Sequence, residues 1–330
     1  MKLEEIYGPI RNQLRMVDEE LKSKLHSENE LVQEINKYIF DMPGKYLRPA
    51  LVLLSARTGN YRGDKDISVA AAVEIIHTAT LFHDDVVDSA NLRRGRPTIN
   101  SKWGNGIAIV LGDHWYSRAF SILTEIKIPK ILEMLLEVVN RICVGELEQL
   151  KRRYDLSFTE QEYFEIVENK TACLMSFCCR AGAWIGEISP EQTKSLANYG
   201  SNLGIAFQIV DDCLDFAGTE EKVGKSLGSD LLEGKLTLPL IYAMNAANKK
   251  DVEWIKNSFK LKQINNNDAN RIKIMVKQSR AIDYSLRKAE EYRDISKNQL
   301  KSLRNSEYRD ALNLFADYVI ERGYQSLKGT

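Results

Sequence analysis

Apolar side chains recur at every third or fourth position through most of the chain, the spacing of one helical face. Near the start, Leu3, Ile6, Ile10, Leu14, Val17 and Leu21 keep this spacing, and Leu31, Ile35, Tyr38 and Ile39 resume it, predicting two helices over residues 1 to 40. Pro43 and Gly44 break the pattern. Pro49 suits the first turn of the next helix, ALVLLSARTG, and Gly59 to Gly63 read as a turn. The stretch ISVAAAVEIIHTATLFHDD is different, being apolar on nearly every face and interrupted at Glu74 and His77. A helix apolar all round is a buried one.

After a loop over 89 to 98, residues Gly104 to Ile126 predict another mostly buried helix, and Pro129 opens one that runs through RICVGELEQL. Thr159 and Glu162 form a capping box for a helix that reaches Cys179 or beyond. Ser189-Pro190-Glu191 is a further start signal, and its successor takes in Leu203 to Phe216. Residues 217 to 238, rich in glycine and lysine, read as a long functional loop. Charged amphipathic helices follow, ending in DALNLFADYVIERGY. No alternating pattern longer than a few residues suggests a strand. The expected fold is all-α, a single large bundle of roughly ten or more helices, and with no linker in evidence residues 1 to 330 read as one domain.

Composition narrows the function classes. Apolar residues make up 44% of the 330, enough to fill a sizeable core. Lysine plus arginine equal aspartate plus glutamate at 46 each, which argues against a nucleic-acid binder. The five cysteines match no zinc spacing and sit largely in apolar stretches; their odd number and the absence of a leader pattern predict a reducing cytoplasm. No run of 18 uncharged apolar residues is present, so no membrane span is expected.

The chemistry concentrates in two acidic clusters. Asp84, Asp85 and Asp88 end the apolar helix, with Asp84 and Asp88 four apart on one face. The same spacing returns in DDCLD, at Asp211, Asp212 and Asp215. Like charges so placed repel unless a hard cation such as Mg2+ offsets them. Cations accompany both clusters: Lys45 and Arg48 after a Pro-Gly turn, Arg93 and Arg94 after the first, and Lys170, Lys225 and Lys235 in the later segments. Taken singly, each reads as an ordinary solvated charge or helix end, and His77 as a hydrogen-bonded core histidine. Together they suit a diphosphate gripped through Mg2+ and charge-assisted contacts, with a hydrocarbon tail in an apolar cavity below. No P-loop, dinucleotide fingerprint, HExxH or GxSxG string is present.

The strings GKYLRP, EIIHTATLFHDDVVDSANLRRGRPT, Gly112-Asp113, Lys170-Thr171, FQIVDDCLD and GKSLGSDLLEGKLTLP together resemble the trans-prenyltransferases, or polyprenyl diphosphate synthases, over nearly the whole chain. The resemblance implies the helical isoprenoid synthase fold with a central active-site cavity. It also implies a trio of Mg2+ ions held by Asp84, Asp85, Asp88, Asp211, Asp212 and Asp215. It places Arg93, Lys170, Thr171, Gln208 and Lys225 on the allylic diphosphate, and Lys45, Arg48, His77 and Arg94 on isopentenyl diphosphate. Lys235 matches a second lysine near the metals. Asp84, Asp85, Asp88, Arg93, Lys170, Asp211 and Lys225 would carry the catalysis. One string departs from the family's usual GGKRLRP: Met42-Pro43-Gly44-Lys45-Tyr46-Leu47-Arg48-Pro49 lacks the first glycine and the middle arginine.

In this family, bulky residues four or five positions before the first cluster stop the growing tail. Here those positions hold Ala79 and Thr80, which implies a deeper channel and a product of roughly seven to ten isoprene units, about C35 to C50, for quinone side chains; Trp115 and Phe120 are candidates for its floor or for plain core. A geranylgeranyl product or the catalytic half of a heteromer are the alternatives. The resemblance further implies a homodimer and, for a greasy product, transient membrane contact. A terpene cyclase would leave the isopentenyl contacts without purpose, and a helical scaffold would leave the acidic clusters uncompensated.

Overall fold

The computed structural model describes residues 3–42, 44–217, 228–260 and 264–327. Among these the fold is all-α apart from one two-stranded ladder. In order come α1 Leu3–Tyr7, α2 Arg11–Lys24, α3 Glu30–Phe40, α4 Leu47–Thr58 and α5 Lys65–Val87. The strands β1 Leu92–Arg93 and β2 Arg96–Pro97 lead to α6 Ile99–Trp103, α7 Asn105–Glu125 and α8 Pro129–Lys151. Next are α9 Glu160–Val167, α10 Cys173–Ile185 and α11 Pro190–Ala217, and the remaining helices are Ser229–Leu232, Leu238–Ala246, Lys249–Lys260, Asn266–Gln278, Ala281–Gln299 and Glu307–Leu327. The expected start signals are in place: Thr159 and Glu162 exchange both capping-box bonds, and the Ser189 hydroxyl accepts from the Gln192 amide.

The chain forms two compact units, each assembled from three separate stretches. The first comprises Met1–Glu137, Met175–Gly200 and Gln299–Phe315, and the second Val138–Leu174, Ser201–Asn298 and Ala316–Thr330. In the first, α5 is buried all round, as its composition demands: Val69 through Val73 are closed to solvent, and α2, α4 and α7 pack around it. Asp66, the buried charge at its start, is held by the Arg57 guanidinium at 3.0 and 3.2 Å. α4 is similarly enclosed over Ala50–Leu54. Its entry is set by Tyr46 in a left-handed conformation at φ 51°, with the Tyr46 hydroxyl donating to Asp18 at 2.9 Å. Tyr46 thus anchors the entry to α4.

The helix expected to run from the capping box to Cys179 or beyond is continuous, but α9 passes into α10 through a π-helical turn, Glu168–Ala172, that lies in the second unit and carries both Lys170 and Thr171. Two glycines let neighbouring backbones reach this turn. A Cβ on Gly145 of α8 would lie 3.1 Å from the Lys170 amide, and one on Gly204 of α11 would lie 2.6 Å from the Ala172 Cα. We predict that Gly204→Ala forces α11 away from the turn and costs about 1–3 kcal/mol, measurable by urea denaturation. An unchanged midpoint would mean that the turn is not clamped. The stretch expected to be one loop after the second acidic cluster contains the helix Ser229–Leu232 and runs straight into Leu238–Ala246.

Candidate active site

The first unit builds an acid-and-arginine site around the C-terminal end of α5. Asp84 and Asp85 lie in its last turn and Asp88 is its C-cap. Asp85 is 3% exposed. Arg93 grips it with a planar fork, Nε to Oδ1 at 2.9 Å and a terminal nitrogen to Oδ1 at 2.7 Å. Burial raises the Asp85 pKa and Arg93 partly offsets that.

Arg93 pairs with Arg96 across the ladder, so Arg94 and Gly95 are the two turn residues, at φ 53° and 75°. Two successive positive φ values mark the hairpin turn whose twist matches the strands. The tight turn sends adjacent arginines to different targets. Arg93 meets Asp85, while burial raises the pKa of Glu74 and Arg48 and Arg94 offset only part of that rise. Gly44 is the close neighbour here: a Cβ on it would stand 2.8 Å from Glu74 Oε1. Burial foremost, then Arg48, Arg93 and Arg94, push the His77 pKa well below the usual imidazole value.

His77, Asp85, Arg93 and Arg94 line one cleft. Lys45, Arg48, Asp84 and Asp88 are not part of its wall, nor are Ala79 and Thr80. Ala79 is wholly enclosed, and the Thr80 hydroxyl donates to the His77 carbonyl at 2.7 Å. Phe120 stacks on Tyr116, whereas Trp115 lines the cleft edge-on to Phe82.

His77 has a consequence for acid stability. Below about pH 6.5 the unfolded chain takes up a proton that folded His77 refuses, so stability falls as pH drops through that value toward the depressed folded pKa. We predict that His77→Asn flattens the loss of stability between neutral pH and mild acid, read from denaturation midpoints. A slope equal to the parent's would show that His77 is not held neutral.

The second unit holds the other cluster on α11. Asp212, 3% exposed, accepts from the Tyr163 hydroxyl at 2.6 Å and from Gln208 at 2.8 Å. Thr171 in turn donates to Gln208 Oε1 at 2.9 Å. Burial, with Asp230 beside it, pushes the Asp212 pKa up to about 8, and Tyr163 and Gln208 pull against that. Asp215 turns the other way and organises the next segment, accepting from Ser229 Oγ at 3.1 Å and the Asp230 amide at 3.3 Å. Asp211 pairs with Arg322 of the last helix. Lys170 contacts Gln149 at 2.8 Å and pairs with Glu146, and Lys235 pairs with Glu233 at 2.6 Å.

A second cleft is lined by Lys170, Thr171, Gln208, Asp212 and Lys235, together with Asp230. Lys235 is 8% exposed and so is no solvated surface charge. Lys225 lies outside the described residues. Reading the sequence missed Glu74, Tyr163, Asp230 and Arg322. Only Glu74 carried a signal, as a carboxylate in a helix otherwise apolar on all sides. Among the described residues, no group of three or more His, Cys, Asp or Glu side chains could hold a metal ion by itself.

Residues 29–277 match the family model described as polyprenyl synthetase. The chain is 34% identical over 325 residues to the octaprenyl diphosphate synthase of Haemophilus influenzae, covering 98% of each. It is 36% identical over 326 residues to heptaprenyl diphosphate synthase component 2 of Geobacillus stearothermophilus, covering 98% of this chain and 100% of that one. The polyprenyl synthase of Caulobacter crescentus, crystallised with calcium and isoprenyl diphosphate, superposes with a TM-score of 0.94 at 33% identity over 97% of both chains. The chain belongs to the polyprenyl synthetase family and is a prenyltransferase.

Proposed function

We propose that the chain is a long-chain all-trans polyprenyl diphosphate synthase, extending farnesyl or geranylgeranyl diphosphate with isopentenyl diphosphate to about C35–C50 for quinone side chains. The hairpin that separates Arg93 from Arg94 carries this reading, because it provides two anion grips side by side. Arg93, Lys170, Thr171, Gln208 and Lys225 hold the allylic diphosphate; Lys45, Arg48, His77 and Arg94 hold the isopentenyl one. Lys235 lies among the allylic contacts. A trio of Mg2+ ions, when bound through Asp84, Asp85, Asp88, Asp211, Asp212 and Asp215, supplies charge neutralisation of the leaving diphosphate.

The side chains orient and stabilise. Guanidinium and ammonium groups stabilise charge on the diphosphate as its C–O bond breaks. The isopentenyl double bond attacks the allylic cation, and the C2 proton leaves to the released diphosphate. Small Ala79 and Thr80 leave room for the tail. Residues 1–330 act as one catalytic domain, since neither unit is a contiguous stretch. Exposed Ile109 and Val110 on α7 support a homodimer. No described helix is long and apolar enough to cross a membrane. The reading places the enzyme in the cytoplasm, with transient membrane contact for product release.

The test is product length. The purified chain with Mg2+, labelled isopentenyl diphosphate and either primer is expected to yield products of about C35–C50 by chromatography. A product that stops at geranylgeranyl would make it a short-chain synthase. The similarity to a heptaprenyl synthase component favours one second reading, the catalytic half of a heteromer. Activity only after a partner is added would establish that instead. No elongation of either primer under any of these conditions would overturn the proposal.

A further inference from the structure

Tyr163, Asp212, Gln208 and Thr171 of the second unit form an unbroken chain of hydrogen bonds along one wall of its cleft. The Tyr163 hydroxyl donates from α9 to Asp212 Oδ2, and Gln208 Nε2 donates to Asp212 Oδ1. The Thr171 hydroxyl donates from the π turn to Gln208 Oε1. Gln208 stands one turn before Asp212 on α11, so the carboxylate reaches it along its own helix.

The sense of these bonds fixes the Gln208 amide. An ionised carboxylate only accepts, so it takes the amide nitrogen and turns the amide oxygen toward Thr171. Among the described residues Asp212 takes one of the two Nε2 hydrogens, which leaves the second for an anion in the cleft.

The carboxylate needs an anchor of its own to do this. The torsion that turns a carboxylate about its stem is soft. Gln208 sits on the same helix and would turn with it. Tyr163 comes from another helix, is 4% exposed, and is kept protonated because burial, with Asp212 beside it, pushes its pKa well above the usual phenol value. A phenylalanine would fill the same space without this bond.

We infer that Tyr163 is a positioning residue of the reaction, holding Asp212 so that the Gln208 amide nitrogen faces the allylic diphosphate. The inference rests on the proposed reading in placing Gln208 and Thr171 on that diphosphate. The Tyr163 proton is engaged by Asp212, so Tyr163 acts through Gln208 and does not itself grip the substrate.

Kinetics and calorimetry test it. Tyr163→Phe is expected to raise KM for farnesyl diphosphate about tenfold and to leave KM for isopentenyl diphosphate within about twofold of wild type. Calorimetry with farnesyl diphosphate and Mg2+, where nothing condenses without isopentenyl diphosphate, is expected to show the same loss of affinity. Gln208→Ala should weaken binding as much, and the double variant by no more than about a further twofold, because both changes break one chain. A tyrosine that served only to pack α9 would lower stability without this split between the substrates.

Unchanged farnesyl diphosphate binding in Tyr163→Phe overturns the inference, as do equal rises in both KM values and losses that multiply in the double variant. If Tyr163→Phe does not fold, the same change is made beside Asp212→Asn, which removes the buried charge. A carboxamide has one oxygen for the two donors, so the chain is already cut there. Tyr163→Phe should then alter farnesyl diphosphate binding by less than about twofold against Asp212→Asn alone, and a further tenfold loss overturns the inference. Gln208→Ala binding like wild type would take Gln208 out of the allylic contacts, a failure of the proposed reading that ends the inference with it. The expected binding pattern in an enzyme that elongates nothing would remove the proposed function and leave the role of Tyr163.

Discussion

Asp84→Asn is expected to lower kcat about a thousandfold or more while moving the unfolding free energy by less than about 1 kcal/mol. The two effects have separate causes. Asp84 sits in the last turn of α5 with Asp85 and Asp88 as neighbours, a crowd of like charge at the negative end of a helix dipole. Attraction to Arg93 opposes that repulsion, so the net contribution to stability is small. If the carboxylate holds a cation against the leaving diphosphate, its loss removes several kcal/mol of transition-state stabilisation, and about 4 kcal/mol is a thousandfold. Asp84 is a cleaner probe than Asp211. Neutralising Asp211 also strips the partner from Arg322, so turnover and stability would fall together. Initial rates over a Mg2+ titration, set beside denaturation curves, separate the two. A variant that keeps its turnover would show that the first cluster does not hold the metal.

How far the sequence carries varies with the range of the interaction. α5 and its burial follow from composition alone, because a stretch without a polar face has no place at a surface. The capping box at Thr159 and Glu162 follows too, since donor and acceptor are three residues apart. The π turn at Lys170 does not follow. Whether a helix closes its bonds to the fourth or fifth residue is decided by backbones pressing on it, here at Gly145 and Gly204. The ladder at 92–97 is too short to alternate, although Arg94-Gly95 carries the right turn chemistry.

The partners of the acidic residues were hidden for a related reason. Tyr163 and Asp212 lie 49 positions apart, and Arg322 and Asp211 lie 111 apart. An amphipathic period says which face is buried, not which side chains meet there. Lys235 illustrates the limit from the other side. Its lysine-rich surroundings read as solvated, yet it is enclosed with Glu233. The side of α5 occupied by the cleft was likewise unreadable, because both sides of that helix are apolar.

Arg93→Ala is expected to damage the protein twice, and the two injuries are separable. Asp85 is almost fully enclosed, and the Arg93 guanidinium, with two bonds to Oδ1 and a longer one of 3.2 Å to Oδ2, compensates its charge. Removing the arginine leaves a buried carboxylate without that partner, a change worth about 3 kcal/mol near neutral pH. The pH dependence has a definite sign. Burial already raises the folded pKa of Asp85, and loss of Arg93 raises it further. Above about pH 4 the unfolded chain releases a proton that the folded variant keeps, so the variant loses stability as pH rises from there toward its folded pKa. Denaturation midpoints at pH 4.5 and 7 (roughly the two ends of that window) should diverge from wild type in this order. Adding Asp85→Asn removes the uncompensated charge and is expected to restore most of the stability. The double variant is read for stability alone, because Asp85 is itself a proposed metal ligand; the guanidinium's part in turnover is read on Arg93→Ala where it remains folded, with kcat expected down about a hundredfold or more. Wild-type turnover in that folded single variant would reduce Arg93 to a counter-ion for Asp85, and the allylic diphosphate would then need another grip.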